Sequence, residues 1–105
     1  MTGRTLGGIL VPVTTPFEPA TGELALPHAV HNARRLLADG VDGLVVAGTT
    51  GEAALLEPDE HRRLIAAVRA AVPGDRWLMA GTGAESTRAA VALARAAAAE
   101  GADAV

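Results

Sequence analysis

The part of the sequence best equipped for chemistry is Gly48-Thr49-Thr50-Gly51-Glu52, two adjacent hydroxyls between glycines with a carboxylate behind them. It follows directly on the apolar run Gly43-Leu44-Val45-Val46-Ala47-Gly48. The glycines permit a tight turn, and the backbone N–H groups between them are able to converge on one spot as an anion-binding nest. The threonine hydroxyls add donors. This combination predicts a carboxylate or phosphate site at Thr49 and Thr50. A plainer reading is a tight strand-to-helix turn whose hydroxyls cap the next helix, and residue types alone leave both open. Glu52 reads as a general base or, the favoured alternative, as a side chain that hydrogen-bonds nearby backbone and organises the loop with Gly48 and Gly51.

Other reactive groups are sparse. His28 and His31 stand three apart with no third ligand in place, so no metal site is expected. His61 follows Glu60 outside any H-E-x-x-H arrangement and reads as a helix-surface residue. Gly81-Thr82-Gly83 lacks the third glycine of a dinucleotide fingerprint, since Ser86 stands there, and no cofactor is expected. The absence of cysteine removes disulfides, thiolate metal sites and thiol nucleophiles. Tyrosine is absent, and all nine basic residues are arginine. With no lysine, no side-chain amine of this chain can form a Schiff base.

The bulk composition narrows the class. Half of the 105 residues are apolar and 20% are charged, which suits a folded domain rather than a disordered chain. A net charge of −3, with one Phe and one Trp, offers nothing to nucleic acid. Met1-Thr2-Gly3-Arg4-Thr5-Leu6-Gly7-Gly8 lacks the basic-then-apolar layout of a signal peptide, and Arg88 and Arg95 interrupt the alanine-rich tail. No membrane partner is expected, and a cytoplasmic location is.

The elements that must position the threonines alternate between strand and helix. Ile9–Thr14 is an apolar, β-branched run in which Pro12 fits a strand end or edge. A helix starts near Pro27, carries Ala29, Val30, Ala33, Leu36 and Leu37 at helical spacing, and stops at Gly40. Gly43–Gly48 reads as a parallel strand covered on both faces. The second helix opens with Pro58, Asp59 and Glu60, carries Leu64, Ile65, Val68 and Val72, and ends at Pro73-Gly74. Trp77–Gly81 is a third strand, with Trp77 an apolar residue at its start. Ser86 is placed to cap a third helix running through Ala97 to Gly101.

Ala38-Asp39-Gly40-Val41-Asp42-Gly43 resembles Ala99-Glu100-Gly101-Ala102-Asp103-Ala104, so a fourth strand is expected to open at Ala104. The first three strand starts recur roughly every 34 residues, the length of a βαβ unit. The class is α/β, and the pattern alone suits either an open doubly wound sheet or a (β/α)8 barrel of about 250 residues. In a barrel, residues 1–105 would form one incomplete domain with a bare sheet edge and uncovered helix faces.

Four segments, in order along the chain, carry a family resemblance. Gly48-Thr49-Thr50-Gly51-Glu52 with Leu56 and Glu60-His61 is similar to the GTTGE-x-x-x-L-x-x-x-E-H signature of the dihydrodipicolinate synthase / N-acetylneuraminate lyase family. Thr14-Thr15-Pro16-Phe17 matches its first-strand TPF element, and Asp39-Gly40-Val41-Asp42-Gly43 its approach to the second strand. Ala80-Gly81-Thr82-Gly83 with Ser86, Thr87 and Ala90 resembles its AGTG-x-x-(S/T)T-x-x-A element.

The resemblance implies the N-terminal part of a (β/α)8 barrel, about three βα units and the start of a fourth strand. It also implies a Schiff-base aldolase or lyase of lysine biosynthesis that condenses pyruvate with an aldehyde in a homo-oligomeric parent. Carried over by position, Thr50 and the N–H groups of Thr49 and Thr50 would hold the pyruvate carboxylate. The Thr49 hydroxyl would join a proton relay between two tyrosines. The family's relay tyrosines and imine-forming lysine have no counterpart here, so the 105 residues are expected to be inactive alone. Glu85 and Ala89 stand where lysine-inhibited synthases carry effector-binding Asn and Glu. Within the family, the 2-keto-3-deoxy-sugar aldolases and dehydratases and the N-acetylneuraminate lyases remain alternatives. Outside it, the alternative is a non-catalytic βα remnant that binds an anion or a partner.

Overall fold

Each apolar run of the sequence is too short to fold alone and becomes a strand only because the helix after it covers one of its faces. The computed structural model describes residues 4–105; Met1, Thr2 and Gly3, part of the segment read as lacking a signal-peptide layout, lie outside the described residues. The order is β1 (Leu10–Pro12), α1 (Leu26–Ala38), β2 (Gly43–Val46), a 3₁₀ turn (Ala53–Leu55), α2 (Pro58–Ala71), β3 (Trp77–Ala80) and α3 (Thr87–Ala99).

The strands are shorter than their apolar runs. Pro12 is the last residue of β1, where a missing N–H costs nothing. β2 and β3 stop before Gly48 and Gly81 respectively, because the backbone turns at Ala47 and after Ala80 to build the loops described below.

The helix ends follow local chemistry. α1 has its proline in the first turn and is followed by Gly40 at φ +100°, a left-handed position that suits glycine. At the start of α2 the Glu60 carboxylate accepts the Glu57 N–H at 2.9 Å. Ser86 caps α3, its hydroxyl accepting the Ala89 N–H at 3.1 Å.

The three strands are parallel and lie in sequential order β1-β2-β3, with Leu10 opposite Gly43 and Gly43 opposite Trp77. Leu44, Val46, Leu78 and Ala80 point into one core with Ala33 and Leu37 of α1, Leu64, Ile65 and Val68 of α2, and Ala97 of α3. Each large buried aliphatic there is worth roughly 1.5–3 kcal/mol. The alternate residues Val45 and Met79 are half-buried and stand outside that cluster. All three helices therefore lie on one face of the sheet, within a slab 19 Å thick. A doubly wound sheet reverses its strand order and carries helices on both faces. Sequential order with one helix layer is the beginning of a barrel wall.

The expected fourth strand opens where the repeat puts it: Met79 bridges Ala104 in parallel, and Ala80 N–H reaches Ala104 O at 3.0 Å. The helix faces beyond it are sparsely covered. Ala97 is the one buried residue of α3, and Val91 and Val105 stand exposed.

The repeat has a structural meaning at the N-terminal ends of the strands. Asp42 accepts the Ile9 N–H on Oδ2 at 2.7 Å and returns its own N–H to Ile9 O at 2.9 Å. Asp103 does the same with Leu78, at 2.9 and 2.8 Å. In both copies a left-handed glycine, Gly40 or Gly101, ends the helix two residues earlier and aims the aspartate back at the preceding strand. Asp103 also pairs with Arg69 at 3.0 Å, and Arg69 reaches the carbonyls of Gly101 and Val72. Arg76 donates to Leu37 O and Val41 O, closing the end of α1. Trp77 is buried at the start of β3, with the Arg4 guanidinium 3.9 Å above its ring.

Candidate functional site

At the other end of the sheet, three chain segments leave the strands at one level. Val13 N–H reaches Val45 O at 3.0 Å, and Gly81 N–H reaches Val46 O at 2.8 Å, so the exits of β1, β2 and β3 are tied side by side. The chain leaving β2 enters its loop through Ala47, at φ 56°, and exits through Glu52, at φ 59°. Both are left-handed positions that cost a side-chain-bearing residue on the order of 1 kcal/mol, and such strain persists only where the surroundings impose it. At Ala47 they do: a Cβ on Gly81 would fall 2.1 Å from Ala47 O, so the β3 exit presses directly on this backbone.

Within the loop, Glu52 N–H closes on Thr49 O at 3.0 Å and Ala53 N–H on Gly48 O at 3.2 Å. Gly51 is buried and cornered. A Cβ there would lie 3.1 Å from both Ala47 N and Val13 O, and 3.2 Å from the Thr15 hydroxyl. That hydroxyl donates to Gly51 O at 2.6 Å. Thr49 and Thr50 are exposed at the crest of the turn. Among the described residues no acceptor takes the N–H groups of Thr49 and Thr50, and no partner takes their hydroxyls. Two main-chain donors and two hydroxyls on exposed residues are thus left without an internal partner above a backbone fixed beneath them, an arrangement suited to an anion.

Three sequence readings change here. The hydroxyls of Thr49 and Thr50 do not cap a helix, because α2 starts only at Pro58 and its first turn is served by Glu60. The Glu52 carboxylate is exposed and bonds no backbone among the described residues, while the Glu52 N–H closes on Thr49 O. His61, read as a surface residue, is 4% exposed. It falls on the stripe His61, Leu64, Ile65, Val68 and bonds Gly81 O through Nε2 at 2.7 Å, which makes Nε2 the protonated nitrogen. Its Nδ1 is buried without a partner. It borders a cavity of about 230 Å³ between the 3₁₀ turn, α2 and α3, lined in part by Ala53, Pro58, Gly83 and Leu93. The i, i+3, i+4, i+7 spacing was the available signal that His61 faces inward.

Thr15 was also missed as a loop-holding residue. Nothing in sequence marks which of two adjacent threonines, Thr14 or Thr15, turns inward. His28 and His31 are both exposed on α1. Among the described residues no group of three or more His, Asp or Glu is arranged to hold a metal, and no helix is long and apolar enough to cross a membrane.

The chain and its fold are similar to known proteins. A model of the dihydrodipicolinate synthetase family matches residues 5–105. A 4-hydroxy-tetrahydrodipicolinate synthase of Synechococcus sp. (strain CC9605) is 46% identical over 97 residues, 92% of this chain and 32% of the relative. The chain thus spans about a third of the length of the curated relatives it matches. The crystal structure of a dihydrodipicolinate synthase from Agrobacterium tumefaciens str. C58 superposes with a TM-score of 0.84 at 40% identity, covering 91% of this chain and 32% of that one. An N-acetylneuraminate lyase from Proteus mirabilis superposes with a TM-score of 0.86 at 32% identity, covering 96% and 34%.

Proposed function

The chain belongs to the dihydrodipicolinate synthetase family, and from that premise we propose that it supplies the carboxylate-binding corner of a pyruvate-dependent Schiff-base aldolase. In this reading residues 1–105 are one incomplete barrel domain. The N–H groups of Thr49 and Thr50 and the Thr50 hydroxyl hold the pyruvate carboxylate, while the Thr49 hydroxyl passes protons. Gly48, Gly51 and Glu52 keep the turn in shape. The observation that carries the reading is the pair of unpartnered main-chain donors on the exposed Thr49 and Thr50, on a backbone locked from below, at the end of the sheet where barrel enzymes bind their ligands.

A carboxylate held there fixes the adjacent ketone carbon against an attacking amine, removing most of the orientational cost of the addition. The amine itself must come from a lysine outside these 105 residues, and the relay tyrosines likewise, because the chain has neither residue. The imine loses a proton to become an enamine, whose carbon adds to an aldehyde; cleavage runs the same steps backward. The names of the curated relatives, with Thr rather than Ser at position 49, favour 4-hydroxy-tetrahydrodipicolinate synthesis over neuraminate cleavage. A homo-oligomeric cytoplasmic parent belongs to the same reading.

Titrating the ¹⁵N-labelled chain with pyruvate is the test. Saturable shifts of the Thr49 and Thr50 amides are expected. Borohydride added to the same mixture should leave no reduced adduct on any side chain by peptide mapping, the terminal amine aside. A side-chain adduct, or pyruvate shifts confined to other segments, would overturn the proposal.

A further inference from the structure

Thr15 and His61 are the two buried polar residues among those described, and each spends its hydrogen bond on a glycine carbonyl at this end of the sheet. Thr15 is the one that reaches the threonine loop. We propose that Thr15 is a positioning residue for the carboxylate site: its hydroxyl orients the Gly51–Glu52 peptide, and through it the turn that presents Thr49 and Thr50. The inference rests on the reading of Thr49 and Thr50 as a carboxylate site.

The geometry is that of one peptide unit gripped from two sides. Its carbonyl, Gly51 O, receives the Thr15 hydroxyl at 2.6 Å, from a residue 36 positions earlier in the chain. Its N–H, on Glu52, closes on Thr49 O at 3.0 Å. Rotation of that peptide would break both bonds and move Thr49 with them. Thr15 is 5% exposed, so water offers its hydroxyl no easy substitute partner.

Thr15 is itself held. Pro16 restricts its backbone to extended conformations, and Pro16 O accepts the Ala25 N–H at 3.0 Å. Gly51 permits the approach, since a Cβ there would already lie 3.2 Å from the hydroxyl. Binding at Thr49 and Thr50 depends on where this turn stands, and small misplacements of a binding group weaken it steeply.

Thr15→Val removes the hydroxyl at nearly constant shape, and Thr15→Ser restores it with a smaller side chain. Two measurements on the ¹⁵N-labelled chain separate the claims. Without ligand, hydrogen exchange at the Glu52 amide should speed up about tenfold in Thr15→Val relative to core amides such as Leu44 and Leu78, as loss of one hydrogen bond implies. It should stay near wild type in Thr15→Ser. With pyruvate as probe, the affinity read at the Thr49 and Thr50 amides should fall roughly tenfold in Thr15→Val and recover in Thr15→Ser.

Glu52 exchange that changes only in step with the core amides would overturn the positioning role. So would equal losses of affinity in the Val and Ser variants, which would point to packing alone. Wild-type amides that ignore pyruvate, with Glu52 exchange still responding to Thr15→Val, would overturn the carboxylate site while leaving Thr15 as the holder of the loop.

Discussion

The two ends of the parallel sheet are built from the same kinds of residue and use their polar groups in opposite ways. At the N-terminal ends of the strands, Asp42 and Asp103 turn back on Ile9 and Leu78, Arg76 closes α1, and Arg69 ties Asp103 to the end of α2. Each of these four charged groups faces a named partner inside the chain. At the C-terminal ends, bonds run beneath the loop, from Thr15 to Gly51, His61 to Gly81 and Gly81 to Val46. The crest above them, Thr49 and Thr50, keeps its donors for something else. Polar groups satisfied internally contribute stability, whereas groups held rigid and unsatisfied at a surface are available to a ligand. The left-handed Ala47 and Glu52 fall at the same C-terminal end, where the proposed site would tolerate such strain.

The strongest way to break this contrast is at Asp103. Its side chain is 8% exposed, and Asp103→Ala would strip the partner from Arg69 and leave the Leu78 N–H unpaired. Removing one member of a largely buried pair leaves an uncompensated charge, so a loss of about 3 kcal/mol is expected by urea denaturation. The matching change Asp42→Ala acts on an exposed residue with no ion pair among the described residues and should cost only about 1 kcal/mol. Equal losses at the two aspartates would mean that the repeat, and not the buried pair, sets the stability of this end.

Gly81→Ala probes the opposite end where it is structural. A Cβ at 2.1 Å from Ala47 O and 2.7 Å from its carbonyl carbon meets backbone, which cannot swing away as a side chain can. A cost of about 2 kcal/mol is expected. The amide shifts of Gly48 to Gly51 should change as well, because the β3 exit pushes on the strained entry to that loop. Shifts confined to Gly81 and its neighbours would show that the two exits are not coupled.

How much of this was legible in sequence differs between the ends. The clamps announced themselves, because Gly40-Val41-Asp42 and Gly101-Ala102-Asp103 repeat a helix stop followed by an acidic residue, although which strand N–H the aspartate would take was not readable. The helices were placed within a residue or so because proline starts, glycine stops and Ser86 are local signals. The choice between barrel and doubly wound sheet was not local. It depends on strand order and on which face the helices share, and the motif resemblance supplied it before the fold did. Thr15 and His61 escaped for related reasons. Each is defined by a bond to a carbonyl 36 or 20 positions away, and only the stripe through Leu64 and Ile65 hinted at His61. The carboxylate of Glu52 drew attention in sequence, yet among the described residues the bond it was expected to make is absent and the N–H of the same residue bonds Thr49 O.

The smallest effect on stability is expected where the effect on binding is largest. Thr49 and Thr50 are exposed, and their hydroxyls bond nothing among the described residues. Thr49→Val and Thr50→Val should therefore change the unfolding free energy by less than about 0.5 kcal/mol, as surface substitutions away from special features do. Thr50→Val should nonetheless weaken pyruvate at the neighbouring amides by about tenfold, through loss of one hydrogen bond to a charged group. Thr49→Val should leave that affinity nearly intact, because under the proposal its hydroxyl serves proton transfer and its N–H survives the substitution. If Thr50→Val cost as much stability as Asp42→Ala, its hydroxyl would be paired within the fold. The crest would then belong with the clamped end, and the division of labour between the two ends of the sheet would fail at the residue on which it most depends.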